Sequence, residues 1–114
     1  MGLVSDGGVH SHTDHLVHLC QMASSAGLKE IFIHVFTDGR DTDPKSGLGY
    51  VDELEQKISK GPAKIATLIG RYYSMDRDKR WERIKLAYDL MVHGKGARAI
   101  SAHQGIDASY QNGI

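Results

Sequence analysis

The chain has 114 residues, of which 40% are hydrophobic and 25% charged, a composition typical of a folded domain and not of a disordered segment. Lysine plus arginine equals aspartate plus glutamate at 14 each, so the overall charge gives no reason to expect a nucleic-acid or membrane-surface partner. The single cysteine excludes an internal disulfide, and no apolar run approaches the roughly 20 residues needed to cross a bilayer.

The first residues show no export signal and lead directly into a strand. Residues 1–6 lack the basic region and apolar core of a signal peptide, so we expect a cytoplasmic protein. Leu3 to Ser5 is predicted to be a short buried strand that ends at Gly7 and Gly8, because two glycines free the backbone from its usual limits. A strand this close to Met1 is unusual, and we therefore expect the chain to be cut from a longer one.

A helix and the clearest strand of the chain come next. Apolar residues recur at helical spacing through residues 12–26, which predicts a helix with Ser11 or Thr13 as its N-cap. Residues 31–36 form an almost continuous apolar run, as expected of a strand covered on both faces. Residues 37–47 hold many turn formers and almost no apolar side chain, so we expect a long polar loop.

The second half of the chain continues the alternation. An apolar stripe before Gly61 predicts a second helix, residues 65–69 a third strand and residues 78–92 a third helix. The pattern weakens over residues 95–114, which form either a short helix near residues 107–111 or an irregular segment. Strands that alternate with helices predict an α/β fold, in a three-layer α/β/α arrangement with a mainly parallel sheet built from βαβ units.

Each predicted strand is followed at once by polar sequence that contains glycine. In parallel α/β sheets, ligands bind beyond the carboxyl ends of the strands, where such loops converge. Arg40, Arg71 and Arg77 lie in or just after these loops, and guanidinium suits the bidentate binding of phosphate or carboxylate. The pattern indicates a small anionic ligand, although each arginine could instead belong to a solvated surface pair.

Asp41 and His10 occupy the same predicted loops. Asp41 could hold the guanidinium of Arg40 in place or take a proton from a bound hydroxyl, and spacing alone favours the structural role. His10 could donate to an anion or act as an acid or base near neutral pH, whereas a lone loop histidine is usually ordinary. Both residues are candidates for ligand contact.

Histidines are also concentrated near the start of the first predicted helix. The cluster comprises His10, His12, His15 and His18, with Asp14 among them. His15 and His18 could share a helix face, but no cysteine pair or His-Glu-x-x-His pattern completes a set of ligands. We therefore expect no metal on this chain.

Three motifs are highly specific when taken together in chain order. They are GLVSDGGVHSH at 2–12, FTDGRDTDP at 36–44 and IGRYYSMDRDKRWER at 69–83. They closely resemble the transferase, or substrate-binding, domain of cofactor-independent (2,3-bisphosphoglycerate-independent) phosphoglycerate mutases. The similarity extends to the ending ASYQNGI at 108–114, so residues 1–114 resemble part of that domain, and the family's phosphatase domain is absent.

The resemblance implies a two-domain isomerase of glycolysis that interconverts 3-phosphoglycerate and 2-phosphoglycerate through a phosphoserine intermediate. In that family the phosphatase domain, of the alkaline phosphatase superfamily, carries the nucleophilic serine and two manganese ions. The transferase domain binds the glycerate and its phosphate. The resemblance places substrate contacts on His10, Arg40, Asp41, Arg71 and Arg77, and a catalytic role on Asp41, which would handle the proton of the reacting hydroxyl.

The chain also departs from the family pattern. It has no nucleophile segment, no Asp and His metal set from the phosphatase domain and no counterpart of the Arg-x-x-Arg pair that comes later in the family's transferase domain, so we expect the isolated chain to be inactive. Its expected partners are a small phosphoglycerate and the phosphatase domain of the same parent, which is expected to be monomeric. A sheet edge left uncovered in the fragment could pair with a second copy.

Two other functions stay open at the level of sequence. A stand-alone module that senses a phosphorylated metabolite would use the same arginines and bind tightly by itself. Micromolar affinity for 3-phosphoglycerate would favour that module, and millimolar or no binding the mutase fragment. A small metallohydrolase built on the histidine cluster is the third hypothesis, which metal analysis of the purified protein would test.

Overall fold

The computed structural model describes residues 1–111 and contains one parallel sheet flanked by helices. The strands are β1 (Gly2–Val4), β2 (Ile31–Thr37) and β3 (Ala63–Gly70). The helices are α1 (Thr13–Ser25), α2 (Gly47–Ile58), the single-turn α3 (Arg71–Ser74), α4 (Trp81–His93) and α5 (Ala102–Gln111). The predicted α/β fold with a parallel sheet built from βαβ units is confirmed.

The strands pair in chain order, β1-β2-β3, and they end at the same level. Val4 is the partner of Thr37, and Thr37 is the partner of Gly70. The register shifts by one residue after the pair Ile33–Ile65, because β3 carries Ala66 as an extra residue. The loops that follow Val4, Thr37 and Gly70 therefore lie next to one another at the carboxyl edge of the sheet.

The core lies on one face of the sheet. Strands that follow each other in chain order and join by right-handed crossovers place both connecting helices on the same side. Accordingly, Ile33 and Val35 of β2 pack in one cluster with Val51 and Leu54 of α2, joined by side chains of α1 and α5. Burial of one such side chain contributes about 1.5–3 kcal/mol, so this face supplies most of the apolar stabilisation.

The other side of β2 is less covered than the sequence predicts. Alternation along the strand puts Phe32 on the face opposite Ile33, and Phe32 is 60% exposed. The expectation that this strand is covered on both faces is therefore wrong at Phe32, because no helix within residues 1–111 covers that position. The helix α4 packs against α3 and β3.

Two helix starts also differ from the predictions. The N-cap of α1 is His12, whose Nδ1 accepts from the backbone N–H of Asp14 at 3.2 Å, and not Ser11 or Thr13. Thr13 is already helical, and its N–H donates to the carbonyl of Ser5. The third predicted helix, residues 78–92, corresponds to α4, which begins at Trp81, and the single turn α3 before it was not predicted.

The last segment forms a longer helix than expected. The alternatives were a short helix near residues 107–111 or an irregular chain, whereas α5 spans Ala102–Gln111. Residues 112–114, and with them the end of the ASYQNGI segment, lie outside the described residues. No helix within residues 1–111 is long and apolar enough to span a membrane.

Candidate functional site

Three polar residues meet at the carboxyl edge of the sheet because of the strand register. Ser5, Asp38 and Arg71 each come one residue after the aligned ends of β1, β2 and β3. The Oγ of Ser5 donates to Asp38 Oδ2 at 2.6 Å, and the Nη1 of Arg71 donates to Asp38 Oδ1 at 2.9 Å. The three loops thus converge on one carboxylate.

Asp38 is the centre of this group. Its side chain is only 2% exposed, and its Oδ1 also accepts from the backbone N–H groups of Arg40 at 3.1 Å and Asp41 at 3.0 Å. Burial acts to raise the pKa of Asp38, but the hydrogen bonds from Ser5, the two amides and Arg71 outweigh it and lower the pKa to about 2. The carboxylate is therefore ionised at neutral pH.

Arg71 bridges two carboxylates. Its Nη1 donates to Asp41 Oδ2 at 2.8 Å as well as to Asp38, and its side chain is 12% exposed. Desolvation acts to lower the pKa of Arg71, and the hydrogen bonds from this guanidinium to Asp41 and Asp38 more than offset it, so the pKa is raised. We call Ser5, Asp38, Asp41 and Arg71 the carboxylate hub.

The loops close over the carboxylate hub so tightly that two positions suit only glycine. A Cβ at Gly7 would lie 3.0 Å from the Cβ of Asp41 and 3.3 Å from Asp38 Oδ2. Gly39 has a φ of 84°, and a Cβ there would also lie 3.3 Å from the Cα of Pro44. The glycines of the polar loops therefore allow the backbone to approach the hub closely.

The other predicted site residues are exposed, and they lie on the chain segments that follow the three strands. His10 follows Gly8, which has a φ of 78°, in the loop after β1. Arg40 is anchored by its backbone N–H to Asp38, and its side chain is exposed. Arg77 is exposed in the loop between α3 and α4. We call the two arginines, Arg40 and Arg77, the outer cations.

The structure answers one question that the spacing left open. The carboxylate of Asp41 holds a guanidinium, as the structural interpretation proposed, but the guanidinium belongs to Arg71 and not to Arg40. The two partners are 30 residues apart in sequence, so adjacency in the chain pointed to the wrong arginine. Among the five predicted site residues, the direct contact is between Asp41 and Arg71.

Asp38 and Ser5 are site residues that the sequence interpretation missed. Asp38 stands at the end of a clear strand and immediately before a glycine with positive φ, a position at which aspartate often accepts from amides two or three residues ahead. That signal was available in the sequence. Ser5 offers no comparable signal, because its bond to Asp38 depends on the pairing of β1 with β2.

The histidine cluster does not assemble a metal-binding group. His12 is engaged as the N-cap of α1, and its ring lies 5.9 Å from that of His15, centroid to centroid. In the part of the chain that the structure describes, no three His, Cys, Asp or Glu side chains are gathered closely enough to hold a metal ion. The residues present therefore do not fit a manganese site.

The carboxylate hub and the outer cations together suit an anionic ligand. A guanidinium has five N–H donors, and both contacts of Arg71 use Nη1, so Arg71 keeps donors for a ligand. The two carboxylates and one guanidinium of the hub sum to one negative charge, which alone would repel an anion. Arg40 and Arg77 add two positive charges and so reverse that balance, and arginine binds carboxylate and phosphate bidentately.

Comparison with known proteins identifies relatives over the whole chain. The family model described as the N-terminus of BPG-independent PGAM matches residues 1–114. The 2,3-bisphosphoglycerate-independent phosphoglycerate mutase of Flavobacterium psychrophilum is 60% identical over 114 residues, which are all of this chain and 23% of that protein. The mutase of the same name from Clostridium kluyveri is 55% identical, over 99% of this chain and 22% of that protein.

A solved structure shows the same fold. It is described as phosphoglycerate mutase of Leishmania mexicana at low cobalt concentration, and it is 33% identical with a TM-score of 0.92. The match covers 97% of this chain and 22% of that one. The chain therefore spans less than a quarter of the length of the relatives it matches.

Proposed function

Since this chain belongs to the family of BPG-independent phosphoglycerate mutases, we propose that it holds the substrate of such a mutase while the rest of the protein breaks and forms the phosphate ester. The observation that carries the proposal is the carboxylate hub, which fixes Arg71 at the carboxyl edge of a parallel sheet beside the loops of the outer cations. This is the edge at which α/β folds bind ligands.

A phosphoglycerate suits these residues because it carries both a carboxylate and a phosphate. Arg40, Arg71 and Arg77 would neutralise the two anionic groups, and His10 would help to position the phosphate. The carboxylate hub holds Arg71 before the ligand arrives, so little conformational freedom is lost at that contact on binding. The resemblance of the three motifs supports the assignment of each residue.

Asp41 is proposed to handle the proton of the glycerate hydroxyl that attacks or leaves. Its Oδ2 is held 2.8 Å from Arg71 Nη1, which fixes the orientation of the carboxylate and leaves Oδ1 to meet a substrate hydroxyl. A positioned general base of this kind contributes about 10²–10⁴-fold to the rate. Retention of the glycerate during its reorientation would keep the phosphate from being lost to water.

The remaining chemistry is assigned to the part of the protein outside this chain. We propose that a phosphatase domain of the alkaline phosphatase superfamily carries the nucleophilic serine and two manganese ions there, and that the enzyme serves glycolysis in the cytoplasm. Manganese would supply Lewis-acid activation of the transferring phosphate. The share of the relatives' length that this chain spans supports a division of labour between domains.

The open side of β3 is proposed to contact the rest of the parent chain. A groove of about 900 Å³ runs along this strand between α4 and α5, lined by residues 65–70 and by Leu86 and Leu90 of α4. An edge strand with unpaired backbone groups invites another strand. In the intact, monomeric parent the occupant would be a later segment of the same chain, and in the isolated fragment a second copy could take its place.

The assay that tests the proposal is conversion of 3-phosphoglycerate by the full-length protein that contains this chain. Asp41→Asn should lower kcat at least about 100-fold, because the amide cannot accept the proton. Asp43→Asn is the matched control, since Asp43 is exposed in the same loop and, among residues 1–111, its side chain accepts only from the backbone N–H of Lys45. Equal activity of the two variants would refute the role of Asp41.

The isolated 114-residue chain gives a second test of the same proposal. We expect it to convert no 3-phosphoglycerate even with added manganese, because the proposed nucleophile lies elsewhere in the parent. Measurable conversion, after host mutase has been excluded, would contradict the division of labour.

A further inference from the structure

The loop that carries Arg77 is organised by one buried carboxylate. Asp76 is 2% exposed in its side chain, and its Oδ2 accepts from the backbone N–H groups of Asp78 at 3.2 Å and Arg80 at 2.8 Å. Its Oδ1 accepts from Arg83 Nη1 at 3.0 Å. Asp76 is the immediate neighbour of Arg77, so these bonds fix the backbone from which the Arg77 side chain departs.

Arg83 joins this loop to the helix that begins at Arg71. The guanidinium carbon of Arg83 lies 4.0 Å from the centre of the Tyr72 ring, within the range of a cation–π contact. Tyr72 follows Arg71 in the single turn of α3, which is about 6 Å long. Through Asp76 on one side and Tyr72 on the other, Arg83 therefore connects the backbone at Arg77 to the helix of Arg71.

The turn that these contacts enclose is strained. Lys79 has a φ of 58°, the left-handed conformation that residues other than glycine rarely adopt. A strained turn persists only when its surroundings enforce it. Here the residues on either side of Lys79, Asp78 and Arg80, both donate a backbone hydrogen bond to Asp76. An ordinary helix such as α4 can begin without a buried carboxylate and without a strained turn, so these features call for another explanation.

We infer that Tyr72, Asp76 and Arg83 are positioning residues that fix the backbone at Arg77 relative to the helix of Arg71, so that one phosphoglycerate can contact both arginines. We call these three residues the Arg83 clamp. The inference rests on the proposed function, because it takes Arg77 to be a substrate contact. The clamp itself would not touch substrate, and its effect would reach the substrate only through Arg77.

The test is a double-mutant cycle in the full-length protein, with kcat and KM for 3-phosphoglycerate as the readout. Arg77→Ala and Arg83→Gln should each lower kcat/KM about tenfold, mainly through KM. The double variant should lie within about twofold of Arg77→Ala alone, because Arg83 acts through the residue already removed. Arg80→Gln is the matched control and should retain wild-type kinetics, since the Arg80 side chain is exposed.

The outcomes separate the clamp from the proposed function. Losses that multiply in the double variant, or wild-type kinetics in Arg83→Gln, would overturn the clamp while leaving Arg77 as a substrate contact. Wild-type kinetics in Arg77→Ala, or a wild-type protein without mutase activity, would refute the proposed function and the clamp together.

A second pair of variants covers the case in which Arg83→Gln does not fold. Tyr72 is 59% exposed, so its substitution leaves the core intact. Tyr72→Ala should lower kcat/KM less than Arg77→Ala but in the same parameter, KM, and Tyr72→Phe should restore wild-type kinetics because it keeps the ring. A Phe variant as impaired as the Ala variant, or an Ala variant with unchanged KM, would overturn the stacking role.

Discussion

The carboxylate hub and the outer cations occupy the same edge of the sheet but are held in opposite ways. Every member of the hub is tied to a residue far away in sequence, so Ser5, Asp38 and Arg71 connect all three strands. The outer cations stand exposed on loops, and Arg40 is anchored through its backbone alone. The side chains of the hub are built into the fold, whereas those of the outer cations extend into solvent from backbone that is itself anchored.

This difference separates the effects of substitution. A change in the carboxylate hub should alter both the free energy of unfolding and the proposed binding of an anion, because the same bonds hold the strand ends and orient Arg71. A change in the outer cations should alter the proposed binding alone, because their side chains are exposed.

The largest effect is expected from Asp38→Asn. The amide cannot accept from Ser5, two backbone amides and Arg71 at once, and it leaves a largely buried guanidinium with one carboxylate fewer. The free energy of unfolding should fall by about 3 kcal/mol, as for a broken buried ion pair. Urea unfolding measures the change.

Asp43→Asn is the control for that experiment. Asp43 is exposed in the same loop, so its substitution should change the free energy of unfolding by less than about 0.5 kcal/mol. A loss of similar size in both variants would mean that Asp38 has no special structural role.

Lowering the pH should reduce the free energy of unfolding of the wild type in the same way, because it protonates Asp38. The pKa of Asp38 is lowered from 3.8 to about 2, so its bonds stabilise the fold fully above pH 3.8. That contribution, about 2 kcal/mol, disappears as the pH falls from 3.8 through about 2. Unfolding midpoints measured across this range should fall more steeply for the wild type than for Asp38→Asn, and parallel curves would contradict the assignment.

Arg40→Gln should affect binding alone. We expect about tenfold weaker binding of 3-phosphoglycerate to the full-length protein, or about 1.4 kcal/mol, with an unchanged free energy of unfolding. Lys64→Gln removes an exposed positive charge from the amino-terminal end of β3, far from the site, and should change neither quantity. A destabilised Arg40→Gln variant would break the separation between hub and outer cations.

The smallest effect concerns α5, away from both groups. His103 Nδ1 lies 2.9 Å from Asp52 of α2, and this hydrogen bond, followed by the charge of Asp52, raises the pKa of His103 above 6.5. The stabilisation is therefore complete below pH 6.5 and is lost as the pH rises through the raised value.

Hydrogen exchange of α5 amides, corrected for intrinsic rates, measures that loss. Protection should decrease as the pH rises above 6.5 in the wild type, and Asp52→Asn should abolish this pH dependence. An identical pH dependence in both proteins would show that the pair of His103 and Asp52 does not stabilise α5.

The sequence was sufficient for the fold and for the edge of the sheet at which the polar loops meet. Glycine and aspartate after Val4 and Thr37 mark the strand ends, and the parallel sheet brings the following loops to one edge. Apolar patterns alone could place α1, α2 and the three strands to within a few residues, because period and burial agree in these segments.

Which side chains pair with one another at this edge could not be predicted from the sequence. That Asp41 holds Arg71 and not Arg40 depends on the register of β2 with β3, which no local pattern encodes. The sharp turn at Lys79 was likewise not predictable, because lysine is not a residue type that favours a positive φ. The exposure of Phe32 reflects which segments cover the sheet, and an apolar run cannot report that.

The most direct test of the central claim is a titration of the chain with 3-phosphoglycerate, followed by backbone amide shifts. We predict a dissociation constant on the order of 1 mM, or about −4 kcal/mol, with shifts concentrated in the loops around His10, Asp38 to Asp41 and Arg71 to Arg77. Shifts that spare these loops and fall instead on the pocket between α1 and α2, beside Cys20 and Ile58, would contradict a substrate site at the carboxyl edge.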